Sequence, residues 1–284
     1  MKRGYTVRVL CVLLICATLF VGAGWIFYHG EWWFPMIEQL RIYDENPWKK
    51  ANDFDGEEQT LSSLKATSCV TYSNIKMLIN AEHPLPEDYE PSLVTYNGAQ
   101  MHPFMLQSYI ALRDDVEEQT GVRIYVVSDY RTSEEQEQIL HESADGIAAP
   151  LGCSEHEAGL ALDVYAPYHD GKTFLRSDAG RLINRICGEY GFILRYPVGK
   201  EEITGISYEP WHLRYVGAPH AKMIMDCGLT YEEYIESFVP NTWYSCENYY
   251  TGRFDSKTIP MPSGWKSCEI SPDNTGYYLI TVTM

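Results

Sequence analysis

Apolar positions fall into three regimes along the chain. Val9 to Phe27 is a run of 19 residues without a charge. From about 73 to 240 the apolar residues recur at helical or alternating spacing. After Pro240 tyrosines and prolines dominate, ending in the alternating run Tyr277 to Val282. In the middle regime Pro103 opens a helix with Met105, Tyr109, Leu112 and Val116 on one face and Gly121 past its end. Val122 to Ser128 is rich in β-branched residues and reads as a strand. Thr132 and Glu135 form a capping box that opens a helix running to about His141. Leu160 to Ala166 alternates as a strand does. Ser177 caps a further helix that buries Leu182, Ile183, Ile186 and Tyr190 and stops at Gly191. Strands are expected at 192–194 and 213–216, and helices at 219–227 and 231–238. Helices and strands mix without a regular βαβ spacing, so the class is α+β.

The 19-residue run would be roughly 28 Å long as a helix, enough to cross a hydrocarbon core. Lys2, Arg3 and Arg8 precede it, and Trp25, Phe27, Trp32 and Trp33 follow as an interfacial cluster. The expectation is an uncleaved anchor with a cytoplasmic N-terminus and everything after Tyr28 outside the cell. Gly22-Ala23-Gly24 keeps a cleaved signal peptide open as the rival reading. Residues 30–72 read as a membrane-proximal stalk, and 241–284 as a small β-rich appendage.

Charge narrows the partners. The chain has 284 residues with 22 Lys+Arg against 39 Asp+Glu, a net −17. So acidic a surface repels phosphate backbones and argues against nucleic-acid binding. Six of the 8 cysteines follow the apolar run. None forms a C-x-x-C pair, which argues against a cysteine zinc knuckle. In an oxidising compartment Cys246 and Cys268 are expected to pair and staple the tail.

Two of the 8 histidines stand in unusual company. His156 lies in SEHEAGLALD, seven residues before Asp163, and His212 closes the string EPWH. Gly159 suits a tight turn that feeds a strand carrying Asp163. Two neutral imidazoles and a carboxylate are good zinc ligands, and a catalytic site needs three protein ligands plus water. Glu209, three residues before His212, would reach that water as a base.

These strings resemble VanY-type zinc D-alanyl-D-alanine carboxypeptidases, of the LAS metallopeptidase group that also holds VanX-type dipeptidases. The likeness runs from about Leu78 to Phe238. It takes in HPLPEDYEPSL from His83, SDYRTSEEQ from Ser128, CSEHEAGLALDVYAP from Cys153 and RYPVGKEEITGISYEPWHLRYVG from Arg195. The resemblance implies a small mixed or antiparallel sheet flanked by helices over 73–240. It implies His156, Asp163 and His212 as zinc ligands and Glu209 as general base. Arg131 would stabilise the oxyanion or hold substrate, with Ser154 and Gln136 as further substrate contacts. The implied reaction is removal of the terminal D-Ala from peptidoglycan stem pentapeptides, which lowers sensitivity to glycopeptide antibiotics in some relatives. An L,D-carboxypeptidase acting on tetrapeptide stems and a catalytically silent wall-binding or sensor module are the alternatives. Cys153 has no ligand precedent in the motif.

Overall fold

The computed structural model describes residues 34, 36–51, 56–142, 148–255 and 258–284. The expected anchor at 9–27 lies outside the described residues. Among the described residues no helix is long and apolar enough to cross a membrane.

Fourteen strands and seven α-helices follow one another among the described residues. The first third holds β1 (Lys49–Lys50), β2 (Gly56–Gln59), α1 (Leu61–Lys65), β3 (Val70–Tyr72), β4 (Val94–Tyr96) and β5 (Ala99–Met101). The middle holds α2 (Pro103–Thr120), β6 (Tyr125–Ser128), α3 (Ser133–Glu142), β7 (Ala161–Tyr165) and α4 (Asp178–Ile186). It continues through β8 (Phe192–Leu194), α5 (Glu201–Thr204), β9 (His212–Tyr215), α6 (His220–Cys227) and α7 (Tyr231–Glu236). The tail carries β10 (Thr242–Cys246), β11 (Tyr249–Phe254), β12 (Ile259–Pro262), β13 (Ser267–Pro272) and β14 (Tyr278–Thr283).

The site-bearing sheet is antiparallel, in the order β6-β7-β9-β8. One face packs on α2 and α4. Met105, Tyr109, Leu112 and Val116 of α2 are buried there with Leu162 and Val164 of β7 and Ile183 of α4. Helix α2 begins at Pro103 and ends before Gly121 as the sequence demands. His102 accepts from the Phe104 N–H, and Gly121 takes φ 71 at the end. Strand β6 is shorter than expected, because its pairing with β7 starts only at Tyr125↔Tyr165.

The terminal segments depart from expectation. The region read as a stalk supplies strands to the C-terminal sheet, whose order is β1-β10-β11-β14-β13-β3. In addition β2 pairs with β12. The polar, weakly periodic look of 49–50 and 56–59 comes from short edge strands with exposed faces. The tail is no separate appendage either. Leu279 of β14 shares a buried cluster with Ile193 of β8, Trp48, Tyr231, Tyr234 and Phe238. The Asn274 amide nitrogen donates to the carbonyls of Leu78, His83 and Pro84 at 2.9–3.1 Å.

The sheet order also overturns the expected disulfide. Cys246 lies in β10 and Cys268 in β13, with β11 and β14 between them. Three strand spacings amount to about 14 Å, whereas bridged Cα atoms lie about 4.4–6.8 Å apart. All six described cysteines are free thiols.

A shared core makes unfolding one event. Leu279→Ala removes a fully buried side chain at the junction and is expected to cost about 2–5 kcal/mol. In a thermal scan the whole transition should move together. A separate early transition of the tail, with the rest unmoved, would contradict the shared core.

Candidate metal centre and active site

Asp163 is the middle residue of β7, and its neighbours Leu162 and Val164 are fully buried on the opposite face. Directly across the ladder stands His212, the first residue of β9. A bulge in β6 between Val126 and Ser128 brings Ser128 opposite Asp163 on the other side. His156 comes from the turn before β7. Gly159 sits there at φ 67, and a Cβ would come within 2.6 Å of a Leu93 methyl. Its N–H returns to the His156 carbonyl at 3.0 Å. The turn that the sequence suggested is therefore the device that folds His156 back toward Asp163.

His156 Nε2 lies 3.5 Å from Asp163 Oδ2, and His212 Nδ1 lies 3.1 Å from Asp163 Oδ1. One donor atom from each of the three residues fits within 4.8 Å. Donors bound to one tetrahedral zinc at about 2.1 Å would stand about 3.4 Å apart. Asp163 Oδ1 is buried and lacks a hydrogen bond of proper geometry. Such an orphan costs free energy unless a cation meets it. The neighbouring charges point the same way. Burial opposes ionisation of Asp163, yet His156 and His212 hold its carboxyl far below the usual carboxylate range. Burial likewise opposes a proton on His212, but the Asp163 and Glu155 carboxylates raise it to about 9. The donor set is built around positive charge, and a divalent cation fits it.

Glu209 enters from the turn before β9. The His212 N–H donates to the Glu209 carbonyl, and the Glu209 N–H to that of Tyr196. Its Oε2 is 3.7 Å from His212 Nδ1. Burial pushes this carboxyl up to about 7; Asp163 adds to the shift, and His212 and Arg131 oppose it. Arg131 lies three residues beyond β6. Its guanidinium donates to Gln136 Oε1 at 2.7 Å and to Ser128 Oγ at 2.9 Å. A cavity of about 160 Å³ is lined by Arg131, Ser154, Glu209 and the three metal-site residues.

Gln136 belongs elsewhere than expected. It is fully buried, and its amide nitrogen donates to the Ala149 carbonyl at 2.6 Å. It holds Arg131 in place and does not line the cavity. Two residues escaped the sequence reading. Tyr196 lines the cavity, its ring centroid 4.8 Å from that of His212. Glu157 accepts from the N–H groups of Gly152 and Ser154 and from the Ser133 hydroxyl, fixing the loop that carries Ser154. Both lie inside the quoted strings, but only folding reveals which way they face.

The comparisons with known proteins agree with this geometry. Residues 98–218 match the family model VanY: D-alanyl-D-alanine carboxypeptidase. A bifunctional D-Ala-D-Ala dipeptidase and carboxypeptidase, VanXYC of Enterococcus gallinarum, is 40% identical over 177 residues, covering 57% of this chain and 93% of that protein. The chain belongs to the VanY family. Among solved structures, the vancomycin-resistance D,D-dipeptidase VanXYg, in complex with a D-Ala-D-Ala phosphinate analog, superposes with TM-score 0.66 at 25% identity. That match covers 82% of this chain and all of the other. A VanY mutant D,D-pentapeptidase from a VanB-type cassette, in complex with Zn(II), superposes with TM-score 0.52 at 33% identity. It covers 57% of this chain and 98% of the other. The cofactor of this VanY-family chain is zinc, and His156, Asp163 and His212 are the residues that fit it.

His212→Ala removes one donor and leaves Asp163 without its cross-strand partner. Metal analysis after dialysis should fall from one zinc per chain to near none, with the fold retained by circular dichroism. A full zinc complement in that variant would remove His212 from the ligand set.

Proposed function

We propose that the protein is a zinc-dependent D,D-carboxypeptidase that removes the terminal D-Ala from peptidoglycan stem pentapeptides. The observation that carries this reading is the meeting of the His156–Asp163–His212 group with Glu209 and Arg131 in one small cavity. Zinc bound there supplies Lewis acidity and lowers the pKa of water.

The chain's own residues do the rest. Glu209 Oε2 takes the proton of the attacking water and returns it to the leaving amine. Its burial suits that role, since a base acts best with a pKa near the working pH. Arg131, held by Gln136 and Ser128, offers fixed donors to the oxygen on which charge develops. Ser154, on the loop organised by Glu157, lines the same cavity and would hold the free terminal carboxylate. Ala148, Ala149 and Ile139 offer an apolar wall to a methyl side chain. Loss of the terminal D-Ala destroys the D-Ala–D-Ala end that glycopeptide antibiotics bind.

Full-length protein loaded with zinc should release D-Ala from a pentapeptide stem and leave the C-terminally amidated analogue intact. Glu209→Gln keeps size and shape but cannot accept a proton. It should keep about one zinc per chain and lose about 10²–10⁴-fold in rate. Near-normal turnover would remove Glu209 as base, and preferential cleavage of tetrapeptide stems would make the enzyme an L,D-carboxypeptidase.

The apolar run 9–27, with Lys2, Arg3 and Arg8 before it, supports an anchor that places this activity outside the membrane. N-terminal sequencing of protein from cells should find residues ahead of the run. A mature chain beginning near Trp25 would replace the anchor with a cleaved leader.

A further inference from the structure

Glu155 stands between Ser154 and His156 in the chain, yet its side chain does not line the cavity. It is wholly buried. One oxygen, Oε1, accepts from Arg195 Nε at 2.6 Å and from Arg214 Nη1 at 2.8 Å. The other, Oε2, lies 3.3 Å from His212 Nε2. That nitrogen is on the far side of the imidazole from Nδ1, which faces Asp163.

We propose that Glu155 is a positioning residue for the zinc site: it accepts the Nε2 proton of His212 and so leaves the Nδ1 lone pair for the metal. The inference rests on the zinc reading but not on the identity of the substrate. An imidazole has two tautomers, and a ligand histidine needs its proton on the nitrogen turned away from the metal. His156 solves this by facing the Asp129 carbonyl with Nδ1 at 2.7 Å. A carbonyl only accepts, so Nδ1 carries the proton and Nε2 is left for the metal. His212 uses the opposite nitrogen, and the neighbour that makes this possible is Glu155.

Charge neutralisation of the arginines accounts for Oε1 but not for the direction of Oε2. Arg195 already holds Glu232 of α7 with both terminal nitrogens, at 2.9 and 2.5 Å. Arg214 sends Nη2 to the carbonyls of Ile75 and Met77 and Nε to that of Tyr215. Glu155 is the carboxylate the two guanidiniums share, and its second oxygen turns to the ring. Both guanidiniums donate to Oε1, so Oε2 is the oxygen left to face the ring. The arrangement also reaches outward. Glu232 accepts from Asn80, and the segment around Ile75 and Met77 hangs on the C-terminal sheet. There the Lys76 N–H donates to Ser271 Oγ and the Leu78 N–H to the Asp273 carbonyl, both at 3.0 Å. The terminal sheet thus holds the segment whose carbonyls fix Arg214.

Two measurements on the full-length protein test the proposal. Chelator competition on folded Glu155→Gln should show zinc bound about 10–100-fold more weakly than in the parent. The d–d bands of its cobalt(II) form should shift as well. A purely structural role predicts a lower melting temperature with zinc affinity per folded molecule and cobalt bands unchanged, and that result would overturn the proposal. If the variant does not fold, the parent decides the matter. Nitrogen-15 histidine spectra of the zinc-loaded protein should show His212 protonated at Nε2 and metal-bound at Nδ1; zinc on Nε2 would overturn it equally.

Discussion

Asp163 and His212 face each other across neighbouring antiparallel strands, and the site depends on that register. Side chains alternate along a strand, so a slip of one residue would send Asp163 into the α2 side of the sheet and bring Leu162 or Val164 into the cavity. Both leucine and valine are completely buried where they stand, and Asp163 is not. Burial of the apolar face thus holds the carboxylate on the other one. The β6 bulge and the Gly159 turn then deliver Ser128, Arg131 and His156 to the same spot.

Around this pair the protein gathers buried charge of both signs. Glu155, Glu232, Arg195 and Arg214 form a group of two acids and two bases almost wholly out of water. Groups of this kind are weak sources of net stability, because desolvation cancels much of the attraction. Their geometry is the gain: each carboxylate oxygen and guanidinium nitrogen has a directed partner. A rigid polar frame suits a centre whose ligands must keep their places while a substrate comes and goes.

Much of this was legible from residues alone. The helix from Pro103 and the strand carrying Asp163 follow from local spacing, and both stand close to where the pattern put them. Of the residues expected as ligands, His156 and Asp163 come together because SEHEAGLALD holds a turn and a strand within one short segment, and His212 joins them by the pairing of β9 with β7. What escaped was non-local. The partners of β1, β2 and β3 lie about two hundred residues away, and short exposed strands leave no periodicity to read. The Cys246–Cys268 expectation failed for the same reason, since sequence separation says nothing about strand order. Gln136 was read as a substrate contact; the Ala149 carbonyl, 13 residues on, and the Arg131 guanidinium make it an internal strut instead.

The central claim is a metal held by two imidazoles and one carboxylate. X-ray absorption at the zinc edge of the purified protein tests it most directly. The account predicts a first shell of nitrogen and oxygen alone, near 2.0–2.1 Å, with the outer-shell signature of two imidazole rings. A sulfur shell near 2.3 Å, as buried Cys153 beside Ser154 would give, or a shell with a single imidazole, would contradict it.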